Sequence, residues 1–253
     1  RMYWRYGQRI IKAARLIREH PQLHGLYITN FGCGPDSFML KFFAKEMQGK
    51  PFLQIEIDEH SADAGTVTRC EAFLDTLKSH QESAVVDISS GPILNLSQMQ
   101  STGELYLPYM AEHVWGLEAA LRVSGIEARV LPPSDEESLD WGRKYTSGKE
   151  CYPALLTVGD IIRKTKEPDF DPHRAAFFMA VANGPCRFGQ YHKLHRFVLD
   201  EIGLSEVPIV VLDQDDDYHR DIGALKLAFE KTVWKAITAI DVMVKDLYET
   251  RPY

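Results

Sequence analysis

The sequence predicts an α/β protein made of two Rossmann-like units, with mainly parallel sheets flanked by helices. Short apolar runs of strand length alternate with segments whose apolar residues have helical spacing, an order that favours parallel strands covered by helices. Turns rich in glycine and proline follow several of the predicted strands. With 253 residues, 45% of them hydrophobic, the chain can bury one large core or two ordinary ones.

The first predicted unit, residues 1–88, alternates helices with buried strands. In chain order we predict a helix over Arg5–Glu19, a strand over Leu26–Phe31, a helix over Ser37–Met47, a strand over Phe52–Ile57 and a helix over Thr66–Leu77. The repeated strand–turn–helix order favours parallel pairing of the two strands. Because a helical pattern begins almost at the first residue, and the chain stops just after another, we expect a piece of a longer protein whose first unit is incomplete.

Residues 89–103 are polar and contain a Ser-Gly-Pro turn, so they are predicted to connect the first unit to a second one over 104–253. In the second unit we predict strands over Glu104–Tyr109, Ala128–Leu131, Ala175–Ala182 and Pro208–Leu212, and helices over His113–Val123, Pro153–Lys164, Phe188–Ile202 and Ile222–Leu247. A short helix capped by Ser134 or Asp135 is expected after the second of these strands. The order predicts a doubly wound sheet, in which ligands bind outside the carboxyl ends of the strands.

Composition excludes several classes of partner. The net charge of −7 argues against a nucleic-acid or membrane-surface partner, and the apolar runs are too short to span a bilayer. Four cysteines are too few for a disulfide framework in a chain of this length, so a reducing cytoplasm is the expected location. No GxxxxGK[ST] motif occurs in the sequence and no GxGxxG motif follows a predicted strand, so nothing supports an ATP or dinucleotide site.

Three cysteines lie in turns flanked by glycine or proline: Cys33, Cys151 and Cys186. Three thiolates converging from such loops would hold an iron–sulfur cluster with one iron left open. Zinc is a competitor, although its structural sites usually have four ligands and a close pair of cysteines. Unrelated free thiols remain the other alternative, because the spacing alone is weak evidence. Cys70 lies in a predicted helix interior and is interpreted as a packed thiol.

Other residues near these turns are candidates for binding or proton transfer. Gly34 and Gly184 would let the backbone approach a cofactor closely, since glycine has no side chain to clash. Arg187 lies in a polar run after Cys186 that would line a pocket, or else form one polar helix face. His60 lies in an acidic strand-to-helix turn, which suits proton transfer but equally suits a helix start rich in acidic caps.

Four segments together resemble the 2-hydroxyacyl-CoA dehydratase superfamily, and most closely the dehydratase-like region of large CoA-substrate-specific enzyme activases. The segments are Asn30-Phe-Gly-Cys-Gly-Pro-Asp-Ser-Phe38, Asp58-Glu-His-Ser-Ala-Asp-Ala-Gly65, Gly148-Lys-Glu-Cys151 and Gly184-Pro-Cys-Arg-Phe-Gly-Gln-Tyr191. The resemblance covers nearly the whole chain and is carried by several motifs at once.

The resemblance implies a [4Fe–4S] cluster bound by Cys33, Cys151 and Cys186, with the fourth iron open to water or a substrate oxygen. It further implies electrons from an ATP-hydrolysing activator module, in the same polypeptide or another, an acyl-CoA substrate, and a related subunit or second copy as partner. His60 or Glu56 is then the candidate base, and Ser37 would approach the open iron.

Three functions follow as expectations. The first is an iron–sulfur component of a lyase of the dehydratase type. The second is an ATP-coupled reductase of small molecules with a larger, double-cubane cluster, which needs more cysteines than this chain supplies. The third is a non-catalytic electron-relay or docking module that lacks a substrate pocket.

Overall fold

The computed structural model describes residues 2–32, 34–61, 63–79, 90–99, 103–213 and 226–251. Cys33 and the predicted start of the last helix, 222–225, therefore lie outside the described residues. The chain divides into two compact units, each with parallel strands flanked by helices, and this confirms the predicted fold class. Unit 1 comprises Arg1–Ser89, Ser147–Glu150 and Gly184–Arg187, and unit 2 comprises Ser90–Thr146, Cys151–Asn183 and Phe188–Tyr253.

Unit 1 contains a two-stranded parallel sheet. Its elements are α1 (Arg5–Glu19), β1 (Gly25–Thr29), α2 (Asp36–Met47), β2 (Phe52–Glu56) and α3 (Asp63–Ser79). The strands pair in register from Gly25 opposite Phe52 to Thr29 opposite Glu56. Their carboxyl ends therefore meet at Thr29 and Glu56, beside the turn that leads into α2.

The core of unit 1 is aromatic. Phe43 of α2 makes edge-to-face contacts with Tyr27 of β1 and Phe52 of β2. Such contacts add to the stabilisation that burial of the rings itself provides. The guanidinium of Arg15 on α1 donates to the carboxylate of Glu46 on α2 at 2.8 and 3.0 Å, which holds the two helices side by side.

Unit 2 contains a five-stranded sheet with helices in the connections. Its elements are β3 (Ile93–Asn95), β4 (Glu104–Leu107), α4 (Val114–Val123), β5 (Ala128–Val130), α5 (Glu136–Tyr145), α6 (Tyr152–Thr165), β6 (Ala175–Val181), α7 (Tyr191–Glu201), β7 (Ile209–Asp213) and α8 (Lys226–Thr250). The strand order is β3-β7-β6-β4-β5, and every described pair is parallel. The strands β6 and β7 are almost wholly buried, as expected for strands covered on both faces.

Helices α5 and α6 pack at very short range. A methyl group added at Gly142 of α5 would overlap the backbone carbonyl of Leu155, and one added at Gly159 of α6 would overlap the carbonyl of Ser138. Glycine at both places allows the two backbones to touch. The close contact fixes the position of α6, whose first residue follows Cys151.

The structure differs from the sequence prediction at two places that bear on the site. The segment 89–103, predicted as a connection, contains β3, which pairs with β7 at the edge of the sheet. The helix predicted over Phe188–Ile202 is a 3-10 turn over Arg187–Gln190 followed by α7. Among the described residues, no helix combines the length and apolar character that a membrane crossing requires.

Candidate functional site

The strand order of unit 2 creates a topological switch point between β4 and β6. In the sheet β5 lies on one side of β4, whereas the following strands β6 and β7 lie on its other side. In open parallel sheets the crevice at such a point, outside the carboxyl ends of the strands, is the usual ligand site. The segment that leaves β6 at this point, residues 182–190, carries Cys186.

The turn that carries Cys186 has a backbone suited to glycine. Gly184 has a φ of +141°, in the region where a side chain is strained. The Cys186 residue itself is exposed and its thiol is free. Arg187 follows it, and its Nε is buried without a hydrogen-bond partner among the described residues. The free thiol of Cys186 is thus followed in the chain by an arginine whose Nε has no described hydrogen-bond partner.

Cys151 is the N-cap residue of α6. Its backbone is extended, with φ −66° and ψ 147°, and its carbonyl accepts from the amide of Ala154 at 2.8 Å. The Sγ atom of this half-buried cysteine lies 2.7 Å from the hydroxyl of Tyr191, the first residue of α7. The N-terminus of a helix favours the negative charge of a thiolate. Cys151 is therefore placed where a metal-bound thiolate would be stabilised.

Helix α7 carries two buried histidines, His192 and His195, which follow Tyr191 in the chain. The Nε2 of His195 is 3.0 Å from the hydroxyl of Thr157 on α6. Burial lowers the pKa of His192 and of His195 to about 3, so both rings are neutral at pH 7. Neither Nδ1 has a hydrogen-bond partner among the described residues. Sequence reasoning missed His195 and Thr157, although Tyr191 and His195 are spaced i, i+4 and so share a helix face.

The β1–α2 turn, in which Cys33 lies, has an unusual backbone on both sides of that residue. Phe31, Gly32 and Gly34 have φ values of +57°, +58° and +61°. The left-handed conformation of Phe31 costs about 1–2 kcal/mol relative to an ordinary one. Strain of this kind concentrates at functional sites. The observation supports a functional role for the turn, without placing the thiol of Cys33.

Polar side chains brace the start of α2. The hydroxyls of Tyr27 and Thr29 donate to the carboxylate of Asp36 at 2.9 and 2.6 Å. The buried Ser37 hydroxyl donates to the carbonyl of Gly34 at 2.7 Å. The structure therefore uses Ser37, predicted to approach an open iron, to close the turn that follows Cys33.

Glu56, predicted as a candidate base, lies at the carboxyl end of β2. Its carboxylate forms an ion pair with the ammonium group of Lys149, and the lysine stem packs against Gly32. The next residue, Glu150, is buried, and its carboxylate accepts from the backbone amide and hydroxyl of Ser147. The ion pair of Lys149 with Glu56 connects the segment 147–150 to the rest of unit 1, and the bonds of Glu150 fix the shape of the segment itself.

His60, the other candidate base, is exposed to solvent. Its side chain is 84% accessible, and Nε2 lies 3.8 Å from the carboxylate of Glu59. Its backbone amide donates to Asp58, whose carboxylate also accepts from Ser61. This is a hydrogen-bonded turn before α3, and the described contacts do not link His60 with Glu56.

The free cysteines and the glycines of these turns are residue types that suit a cluster bound by thiolates. Cys151 and Cys186 are free thiols at the starts of helical segments, and the positions that a Cβ would fill at Gly34 and Gly184 contain no described atom within 4 Å. In the part of the chain that the structure describes, no three His, Cys, Asp or Glu side chains converge on a metal position. Cys33 lies outside that part of the chain. Cys70 lies half-buried on α3.

Fold and site together define an α/β protein with a free cysteine at its switch-point loop and another at a helix N-cap. Comparison with family models, with curated proteins and with solved structures found no match. The resemblance to the 2-hydroxyacyl-CoA dehydratase superfamily therefore stays a prediction.

Proposed function

We propose that this chain is an iron–sulfur redox component that binds a [4Fe–4S] cluster through Cys33, Cys151 and Cys186. The observation that carries the proposal is that Cys186 lies in the loop that leaves β6, a strand beside the switch point of its five-stranded sheet. Loops that follow the strands of an open parallel sheet commonly carry its ligand-binding residues. The helix N-cap position of Cys151 supports it, because thiolates are the ligands that iron–sulfur clusters use.

In this proposal the cluster, when bound, supplies a one-electron centre and a Lewis-acidic iron. The dipole of α6 stabilises the thiolate of Cys151, and glycines at 34 and 184 leave room beside the ligand turns. Arg187 offers a cationic donor with an unused Nε next to Cys186.

The electron source in this proposal is an ATP-dependent activator, and the reaction is dehydration of a 2-hydroxyacyl-CoA. Both parts come from the resemblance of the cysteine segments. Of the predicted bases, His60 has a side chain that is 84% exposed to solvent, whereas the carboxylate of Glu56 is paired with Lys149. His60 is therefore the better candidate for a group that returns a proton from water, and Glu56 for a residue that positions the segment 147–150.

Anaerobic reconstitution followed by iron and sulfide analysis tests the proposal. We expect about four irons per chain and the electron paramagnetic resonance of a reduced [4Fe–4S] cluster. Cys33→Ala, Cys151→Ala and Cys186→Ala should each lose the cluster, and Cys70→Ala, the matched control on α3, should retain it. Normal iron content in any of the first three variants would remove that residue from the ligand set.

The same measurement separates the alternatives. About eight irons per chain would favour the double-cubane reductase, and one zinc in place of iron would favour a structural site. A reducible cluster without binding of any acyl-CoA would favour an electron relay. Wild-type protein that takes up no iron would overturn the redox proposal altogether.

A further inference from the structure

The contact between Tyr191 and Cys151 joins the first residue of α7 to the N-cap of α6. Its length, 2.7 Å from the phenolic oxygen to Sγ, is within hydrogen-bond distance. In the free thiol either atom can donate the hydrogen. A cysteine that binds iron has lost its proton, so in the metal-bound protein only the tyrosine hydroxyl can donate.

Packing holds the tyrosine ring in place. Tyr191 is 3% exposed, and its ring meets Phe188 edge-to-face at a centroid distance of 5.4 Å. The centroid of the His195 ring lies 6.3 Å from that of Tyr191, and His195 is itself held by its contact with the hydroxyl of Thr157. A buried hydroxyl that is positioned by its ring loses little freedom when it forms a hydrogen bond.

We propose that Tyr191 donates a hydrogen bond to the Cys151 ligand and thereby raises the reduction potential of the bound cluster. The inference rests on the proposed function, because it requires Cys151 to be a ligand. A hydrogen bond to a ligand sulfur withdraws electron density and stabilises the reduced cluster, which carries the extra negative charge. Tyr191 is therefore a positioning residue, which acts on the electron acceptor through the ligand Cys151.

The test is a redox titration of the reconstituted Tyr191→Phe variant, followed by electron paramagnetic resonance. The variant keeps the ring and removes only the donor, so we expect unchanged iron content and a lower midpoint potential. At a fixed ambient potential near the wild-type midpoint, the ratio of reduced to oxidised cluster should fall about threefold or more, and each tenfold fall corresponds to about 59 mV for one electron.

Two further variants separate tuning from a structural effect. Tyr152→Phe removes an exposed hydroxyl next to Cys151 and should leave the midpoint potential unchanged. Replacing Tyr191 by 3-fluorotyrosine, whose hydroxyl is more acidic, strengthens the donor and should raise the potential. If the ring of Tyr191 only supported the fold, the two replacements would not shift the midpoint potential in opposite directions.

The outcomes distinguish this inference from the proposed function. Equal potentials in wild type and Tyr191→Phe, with full iron in both, would overturn the role of Tyr191 and leave the cluster proposal intact. Full iron content in Cys151→Ala, or no iron in the wild type, would overturn the inference together with the ligand assignment. A Tyr191→Phe variant with a lowered potential and an unchanged circular dichroism spectrum would support it.

Discussion

The two buried histidines of α7 should make this protein unusually sensitive to mild acid. Burial lowers the pKa of His192 and His195 to about 3, whereas an unfolded histidine titrates near pH 6.5. Below about pH 6.5 the unfolded chain therefore takes up protons that the folded protein cannot. The stabilisation is fully present above that pH and is lost as the pH falls towards about 3.

The size of the effect follows from the same two pKa values. Each histidine changes the free energy of unfolding by about 1.36 kcal/mol per pH unit within this window. At about pH 5, some 1.5 units below the unfolded pKa, the two together remove about 4 kcal/mol. That is a large part of the roughly 5–15 kcal/mol that stabilises a typical domain.

Urea unfolding at about pH 7, 6 and 5 measures this directly. The free energy of unfolding should fall with pH more steeply in the wild type than in the His192→Gln/His195→Gln double variant. The comparison uses slopes, so a lower stability of the double variant at pH 7 does not affect it. His60→Gln, at an 84% exposed position, is the matched control and should keep the wild-type slope. Equal slopes in the wild type and the double variant would refute the reasoning.

Three further changes test contacts that hold unit 2 together. Arg196 is 1% exposed, pairs with Asp200 at 2.9 Å and also donates to the carbonyls of Leu204 and Val207. Arg196→Met should therefore cost about 3–5 kcal/mol in urea unfolding, and a loss of less than about 1 kcal/mol would contradict this account. Gly159→Ala brings a methyl group onto the carbonyl of Ser138, and a loss of less than about 1 kcal/mol would contradict this account of the α5–α6 contact. The carboxylate of Asp135 accepts from the Ser138 amide at 2.9 Å, so Asp135→Ala should lower the melting temperature by removing this N-cap, and an unchanged melting temperature would show that the cap contributes nothing.

Local pattern predicted the regular elements well, because helix and strand periods are recorded in the chain itself. The helix over Arg5–Glu19 has the predicted bounds. The strand predicted over Leu26–Phe31 ends at Thr29, since Phe31 and Gly32 adopt positive φ values that no strand allows. β3 was missed because three residues between polar segments carry no period, and only pairing with β7 makes them a strand.

In the candidate site, too, the local features could be predicted from the sequence and the tertiary contacts could not. The glycine and proline turns around the cysteines are local features, and they indicated the loop after β6. The contact of Tyr191 with Cys151 depends on how α6 packs against α7, which no local pattern encodes. The assignment of segments 147–150 and 184–187 to unit 1 is likewise a tertiary result, because a sequence can suggest only contiguous units.

Glu56 shows how such a tertiary contact changes the interpretation of a residue. An acidic residue at the end of a strand suggested a base, yet its carboxylate is paired with Lys149. The side chains of Glu56 and Lys149 are 40% and 35% exposed, so solvent screening limits the pair to about 0–1 kcal/mol of stability.

If Glu56 acts by holding the segment that leads to Cys151, Glu56→Gln and Lys149→Met should lower iron retention equally, and their double variant should lower it no further. The exchanged pair Glu56→Lys/Lys149→Glu should then restore retention. If Glu56 is the base, Glu56→Gln should abolish turnover with iron content unchanged, whereas Lys149→Met should not. Iron content and turnover in the same four variants therefore decide between a tether and a base, because a tether predicts an equal loss of iron in both single variants, whereas a base predicts a loss of turnover in Glu56→Gln alone.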